Sequence, residues 1–375
     1  MLQDEIYKIY GTNYKKMTLD ILDKADLREE IERKAKNLGV EDAKTLKIGL
    51  KPNLVCASPS NFGATTHTEV MAGIIEYLQQ RDFNNIVIAE GSWVGDRTSD
   101  AYEYCGYRTL CETYDVPFVD AQKDGHHTVN CAGLDIEICD VYDDIDFLVN
   151  VPVMKGHCQT RMTCALKNMK GLIPNTEKRH FHSMGLHKPI AHLSQGIHQD
   201  FIVIDHICGD LDFEEGGNPI TRNCVMAALD PVLVDAYVCK LMGIRTSDVP
   251  YIKMAEKIGS GSANVEDARI YDLNEGNMDN EPPRERKVLR VKYAVDEVDS
   301  CSACYANLVP ALLRLKDEGL LDKLDTQIAI GQGHQGESGK VGVGKCTKDY
   351  EFCVMGCPPD TEKIYTELKD YIQKL

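Results

Sequence analysis

The chain has 375 residues, of which 43% are hydrophobic and 27% are charged, and its formal net charge is −17. This composition is typical of a soluble globular protein with room for two domains. The excess of carboxylates opposes binding to phosphate backbones and to anionic lipid, so we expect neither nucleic acid nor a membrane as a partner. No stretch approaches the roughly 20 apolar residues of a membrane span, and the first residues lack the apolar core of a signal peptide. We therefore expect a cytoplasmic protein.

The first part of the chain alternates helical and strand patterns. Residues 18–39 carry apolar residues at helical spacing and stop at Gly39, which predicts a helix. Residues 45–55 predict a strand broken by Pro52, residues 67–81 a helix, and residues 85–91 a short buried strand. This order is typical of a βαβ unit.

The alternation continues along the chain. Further apolar runs occupy residues 116–121, 145–153, 200–207 and 326–333, and helical patterns occupy 230–243 and 249–259. The pattern predicts an α/β fold in which a mainly parallel sheet is sandwiched by helices. An acidic, proline-containing linker over 274–287 separates an α/β body, 1–273, from a smaller C-terminal α/β cysteine-rich module, 288–375.

Fifteen cysteines with no export signal argue against a disulfide framework, because cytosolic thiols are kept reduced and the count is odd. The C-terminal module begins its cysteines with Cys301-Ser302-Ala303-Cys304, followed by a predicted helix over 305–318. After a glycine-rich stretch come Cys346, Cys353 and Cys357. A pair two residues apart can bind one metal centre, and distant cysteines complete the ligand set once the chain folds back.

The predicted cofactor of this module is an iron–sulfur cluster, most simply 4Fe-4S. Zinc is the alternative, and thiols that bind nothing are a third interpretation. Structural zinc commonly uses two close pairs, whereas the second group here is spread, and proline follows the last cysteine as in cluster-binding segments. The predicted ligands are Cys301, Cys304, Cys346 and Cys357, with Cys353 as a spare or a replacement.

Two glycine patterns in the module resemble phosphate loops. Residues 331–336 match the dinucleotide fingerprint, but no helical pattern opens behind them. Residues 339–345 have the spacing of a P-loop, but Cys346 stands where a magnesium-binding hydroxyl belongs. We therefore predict no nucleotide site here.

A polar segment follows the apolar run 145–153. Ligand sites of parallel sheets lie beyond the carboxyl ends of strands, so this segment predicts a cleft that binds a small anionic ligand. The predicted catalytic residues are Lys155, His157, Lys167 and His187, and the predicted ligand- or cofactor-binding residues are Lys170, Arg179, His180 and His182. The alternative is a solvated basic loop with incidental histidines.

Several motifs between Leu46 and Gly259 resemble the bacterial and archaeal family grouped as domain of unknown function 362. They are Lys51-Pro52-Asn53, Ile88-Ala89-Glu90-Gly91-Ser92, Lys155 with His157, Leu166 to Gly171, and Asp230-Pro231 with Asp235. The resemblance implies a cysteine cluster of ferredoxin type. Many members use compact C-x-x-C-x-x-C repeats, and this chain departs from them, which leaves the cluster type open.

The functional hypothesis is an iron–sulfur protein in redox or electron transfer, with a redox partner protein. A non-redox enzyme acting on a small anionic substrate, with a structural metal site, is one alternative. A cluster carrier without turnover is the other.

Overall fold

The computed structural model describes residues 1–214, 216, 219–274 and 287–375. It divides into two compact units. The first contains the described residues of 1–156, 160–211 and 216–283, and the second those of 157–159, 212–215 and 284–375. The predicted linker, 274–287, lies outside the described residues except at its two ends.

The strands of residues 1–274 are β1 (Glu5–Tyr10), β2 (Ile48–Pro52), β3 (Ile86–Glu90), β4 (Phe118–Asp120), β5 (His126–Cys131), β6 (Leu134–Cys139), β7 (Phe147–Val151), β8 (Lys155–His157), β9 (Arg161–Thr163), β10 (Phe201–Asp210), β11 (Pro219–Ala228) and β12 (Arg269–Asp272). The helices are α1 (Tyr14–Lys24), α2 (Leu27–Leu38), α3 (Thr68–Gln79), α4 (Thr98–Tyr104), α5 (Tyr107–Tyr114), α6 (Ala165–Asn168), α7 (Asn175–Ser183), α8 (His187–Gly196), α9 (Pro231–Leu241) and α10 (Pro250–Lys257).

Eight of these strands form one sheet in the order β12-β1-β11-β10-β7-β2-β3-β4. The β10, β7, β2, β3 and β4 strands run parallel, as the sequence predicted. The β11 strand is antiparallel to both neighbours, β1 and β10. The predicted α/β class, with a mainly parallel sheet, is confirmed.

Both faces of this sheet are buried. Alternate residues of β10 enter different hydrophobic clusters: Ile202 and Ile204 join one, whereas Phe201 and Val203 join the other. The first cluster includes residues of α8, α9 and α10, and the second includes residues of α1, α2 and α3. Because side chains alternate across a strand, this division places helices on the two faces of the sheet.

The helix predicted over residues 18–39 ends at Gly39 as expected, in a left-handed conformation with φ 73°. It is interrupted at Asp26, whose φ of 53° separates α1 from α2. Aspartate tolerates this conformation better than most residues, and apolar periodicity does not record such a break. The start of α9 follows the sequence closely, because Asp230 accepts hydrogen bonds from Val232 N and Leu233 N.

The second unit has its own sheet and core. Its strands, all parallel, are β13 (Val295–Glu297), β14 (Ile328–Ile330), β15 (Val341–Val343) and β16 (Phe352–Val354). Its helices are α11 (Ser302–Asp317) and α12 (Thr361–Ile372). Residues such as Leu308, Leu312 and Ile364 form a separate hydrophobic cluster. Residues 331–345 contain the 3-10 turn Gln332–His334 and the strand β15.

Candidate metal centre

The first cysteine pair sits at the start of α11. Cys301 is the N-cap residue, and Cys304 lies in the first turn. The Cys301 carbonyl accepts a hydrogen bond from Tyr305 N at 3.1 Å. Helical residues near this spacing share a face, and the partial positive charge of a helix N-terminus favours thiolates. The sequence C-x-x-C therefore becomes two neighbouring sulfur donors.

The second pair comes from two segments held side by side. The β15 and β16 strands are parallel neighbours, and beyond them Gly344 N donates to Val354 O at 2.9 Å and Lys345 N donates to Gly356 O at 2.8 Å. These backbone bonds bring the turn that carries Cys346 beside the turn that carries Cys357. Cys357 is exposed, whereas Cys301, Cys304 and Cys346 are half-buried.

The two pairs meet in one place. A Cβ atom added to Gly344 would lie 3.8 Å from Cys304 Sγ, so the segment before Cys346 passes next to the first pair. Burial raises the pKa of Cys301, and the nearby thiols of Cys346 and Cys357 raise it further. Gly344 has φ 96°, a conformation that favours glycine. All four predicted ligands are thus gathered in the second unit.

Cys353 has a different environment. It lies on β16, and its sulfur is 3.4 Å from both Gly344 O and Thr347 Oγ1, and 3.7 Å from Met355 Sδ. Burial raises its pKa, and the Thr347 hydrogen bond opposes this effect. Its sulfur therefore contacts a carbonyl, a hydroxyl and a thioether.

His157 belongs to this second unit and not to the first. It is 2% exposed, its Nε2 lies 3.0 Å from Glu214 Oε2, and its Nδ1 accepts a hydrogen bond from Gln159 N at 3.1 Å. Because Nδ1 accepts, the ring hydrogen of the neutral imidazole is on Nε2 and faces the carboxylate. The next residue, Cys158, has its sulfur 4.0 Å from Ser300 O, directly before Cys301.

The other seven residues predicted for the cleft belong to the first unit and occupy several environments. Lys155 is fully buried, with Nζ 2.7 Å from Ala64 O, and Lys167 is 5% exposed. Arg179 and His180 are exposed on α7, where they contact Asn175 O and Glu177 respectively.

The remaining three cleft residues are half-buried. Lys170 lies 6.0 Å from the centroid of the Phe181 ring. His187 stacks on Tyr251, and burial lowers its pKa. His182 lies on α7 near Phe181 in sequence.

The motifs that carry the family resemblance form a buried polar network at the carboxyl ends of the strands. Lys51 Nζ lies 2.5 Å from Glu90 Oε2, and burial lowers the pKa of Lys51 against the opposing effect of Glu90. Asn168 accepts from Asn53 Nδ2 at 2.8 Å and donates to Asn150 Oδ1 at 2.7 Å. The network therefore ties the ends of β2, β3 and β7 to α6.

Two further residues complete the surroundings of this network. A side chain at Gly171 would overlap both Glu90 and Lys51, so only glycine permits this approach. Asp235 accepts hydrogen bonds from Ala165 N at 2.7 Å and Leu166 N at 3.3 Å, and burial raises its pKa to about 7. The motif aspartate on α9 thereby fixes the start of α6, which carries Lys167 and Asn168.

Lys178 was missed by the sequence prediction. It is 5% exposed, and its Nζ donates to Gly91 O at 2.9 Å and to Ser92 O at 2.8 Å. Burial lowers its pKa to about 8. Phe181, three residues on, lies on the same helical face and was the available signal that this lysine points inward.

The lowered pKa of Lys178 makes the free energy of unfolding depend on pH. Between about pH 8 and about pH 10.5 the unfolded chain holds one more proton at Lys178, so the free energy of unfolding rises with pH by about 3 kcal/mol over that window. Lys178→Met should remove this contribution. The measurement is the difference in unfolding free energy between wild type and variant at about pH 7.5 and about pH 10.5.

Lys188→Met is the matched control, because it removes an exposed lysine of α8 without touching a buried site. If the difference in unfolding free energy between the wild type and Lys178→Met is the same at both pH values, the prediction is wrong.

A separate group of possible metal ligands lies beside the β5–β6 hairpin, with His127 on β5 and with Asp140 and Asp143 just after β6. His127 Nδ1 is 3.0 Å from Asp140 Oδ1 and 3.5 Å from Asp143 Oδ2, and all three side chains are exposed. The hydrogen bond to Asp140, with the nearby carboxylates, raises the pKa of His127. The group is therefore a histidine hydrogen-bonded to exposed carboxylates, an arrangement that needs no metal ion.

Fold and site together define an α/β protein with a cysteine-rich C-terminal module. The family model for domain of unknown function 362 (DUF362) matches residues 48–240, just over half of the chain. The chain belongs to the DUF362 family, and the resemblance seen in its motifs is confirmed.

A thylakoid-associated protein of Synechocystis is 23% identical over 227 residues, which cover 57% of this chain and 68% of that protein. Two solved structures are similar at low level. A Thermotoga maritima protein has a TM-score of 0.34 and 14% identity over 58% of both chains. The lactate racemase apoprotein of Thermoanaerobacterium thermosaccharolyticum has a TM-score of 0.38 and 13% identity over 66% of this chain. The chain spans 58% of each solved structure.

Within the described ranges, no helix is both long and apolar enough to cross a bilayer.

Proposed function

We propose that the second unit binds an iron–sulfur cluster through Cys301, Cys304, Cys346 and Cys357, and that the protein serves in electron transfer. The observation that carries the proposal is the meeting of the helix-start pair with the turns of Cys346 and Cys357. A donor set made only of thiolates suits iron–sulfur clusters and zinc. When bound, such a cluster supplies one-electron chemistry.

The order of the cysteines along the chain favours the cluster over zinc. Structural zinc commonly uses two close pairs of ligands, whereas ten residues separate Cys346 from Cys357. Proline directly follows Cys357, as in cluster-binding segments.

Exposure supports the role in electron transfer. Cys357 is exposed, and the other three ligands are half-buried. A cluster on these sulfurs therefore lies near the molecular surface, where a redox partner protein can approach it. The alternative of a non-redox enzyme needs lysines of the first unit that can reach a small anionic substrate. Lys155 and Lys167 are buried, so they support this alternative less well.

The test is anaerobic purification followed by analysis of iron, acid-labile sulfide and zinc. We expect brown protein with a broad visible absorption that dithionite bleaches, because electrons enter the cluster. Colourless protein with stoichiometric zinc would contradict the proposal. The His127→Gln variant is analysed in parallel, since zinc that disappears in this variant belongs to the exposed hairpin group and not to the cysteines.

A further inference from the structure

Two side-chain amides contact two of the four sulfurs. Gln332 Nε2 lies 3.5 Å from Cys301 Sγ, and Gln335 Nε2 lies 3.5 Å from Cys346 Sγ. A ligating thiolate has no hydrogen and only accepts, so each amide must present its NH2 group to the sulfur. The two contacts therefore have the sense of N–H···S hydrogen bonds.

The turn that carries both glutamines is anchored to the segment before Cys301 by two backbone hydrogen bonds. Gln332 N donates to Asp299 O and Gly333 N donates to Val298 O, both at 3.1 Å. A side chain at Gly331, where φ is 124°, would overlap Val298 O, so glycine lets the turn pack against the segment before Cys301.

His334 fixes the turn between the two glutamines. It is 4% exposed, its Nδ1 lies 2.8 Å from Glu337 Oε2, and its Nε2 lies 3.1 Å from Asp296 O. Gln332 and Gln335 are themselves exposed. The buried His334 fixes the backbone of the turn, and the two exposed glutamines contribute nothing to the core. Their side chains instead contact the sulfurs of Cys301 and Cys346.

Hydrogen bonds to cluster sulfurs are one of the protein's means of setting a reduction potential. Reduction adds one electron and thus one negative charge to the centre. N–H dipoles aimed at the sulfurs stabilise that added charge more than they stabilise the oxidised form. Such bonds therefore raise the potential.

We propose that Gln332 and Gln335 are positioning residues that raise the reduction potential of the centre through N–H···S bonds to Cys301 and Cys346. This inference rests on the proposed function, because it needs a cluster on these cysteines. It goes beyond that function by assigning two residues that are neither ligands nor part of the family motifs.

The experiment is a potentiometric titration with dithionite, followed by electron paramagnetic resonance and visible absorption. Gln332→Leu and Gln335→Leu remove one donor each, and both variants should shift the potential downward. The double variant should shift it further. Gln373→Leu, an exposed change after α12, is the control and should leave the potential unchanged.

Gln332→Glu and Gln335→Glu keep the length of each side chain and replace the donor by an anionic acceptor. They should shift the potential further downward than the leucine variants, and they replace the leucine variants in the experiment if a leucine variant loses its iron.

Variants that keep the cluster with the wild-type potential would overturn this inference and leave the proposed function standing. Wild-type protein without iron or sulfide would overturn the proposed function itself.

Discussion

Cys304→Ser is expected to yield folded, colourless protein. Cys304 lies in the first turn of α11, and its sulfur lies next to the segment at Gly344 that leads to Cys346. Loss even of a partner behind a metal ligand typically costs roughly 10- to 100-fold in metal affinity, and loss of a ligand should cost at least as much. We expect at least about a tenfold loss of metal affinity, which should appear as protein that retains little or no iron after anaerobic purification.

Folding should survive this change, because the second unit has a hydrophobic core of its own. Leu308, Leu312, Leu315 and Leu368 are all fully buried there, independently of any metal. Far-ultraviolet circular dichroism of Cys304→Ser should therefore match the wild-type spectrum. This result would separate loss of a ligand from loss of the fold.

Cys353→Ser is the matched control, since it alters a cysteine of the same module by the same atom. Its sulfur contacts Gly344 O and Thr347 Oγ1, and a serine hydroxyl can form similar hydrogen bonds. Iron content and absorption should stay near wild type. If Cys353→Ser lost the cluster and Cys357→Ser kept it, Cys353 would be the fourth ligand in place of Cys357.

Lys51→Met is expected to destabilise the first unit by about 3–5 kcal/mol, the usual result of removing one partner of a buried ion pair. Lys51 and Glu90 are 1% and 3% exposed, and their charged atoms lie 2.5 Å apart. Methionine fills the volume of the lysine stem but leaves the Glu90 carboxylate without its counter-ion. Urea unfolding measured side by side with the wild type gives the difference.

Lys44→Met removes a lysine from an exposed pair with Asp82, in which the atoms are 2.6 Å apart, and is the control for Lys51→Met. It should change the free energy of unfolding by no more than about 1 kcal/mol. Lys51→Met with Glu90→Gln should recover part of the lost stability, because the buried charge is then removed from both sides. Equal effects of Lys51→Met and Lys44→Met would show that the buried pair does not stabilise the fold.

Much of the first unit could be predicted from local patterns. Short apolar runs marked β2, β3, β7 and β10, and Asp230 with Pro231 marked the start of α9. Each of these signals lies within one element. By contrast, β1 and β11 were not predicted, because their antiparallel pairing depends on partners more than 200 residues apart, such as Ile6 and Ala228.

The candidate metal centre, too, was predicted only in part. The C-x-x-C spacing named Cys301 and Cys304, and the following cysteines completed a set of candidates. Nothing in the local pattern named Gln332 and Gln335, which contact sulfurs 31 and 11 residues away. His157 was grouped with Lys155 because the two lie only two positions apart in sequence, yet they belong to different units.

The sequence by itself determined the α/β class, the family and the residues able to bind a metal, because periodicity and residue chemistry are local properties. Only the tertiary structure decided which cysteine-bearing segments lie side by side, which lysines are buried and which amides face the sulfurs. Those outcomes depend on backbone hydrogen bonds between distant segments, such as Lys345 N to Gly356 O and Gly333 N to Val298 O. No pattern within a single segment contains that information.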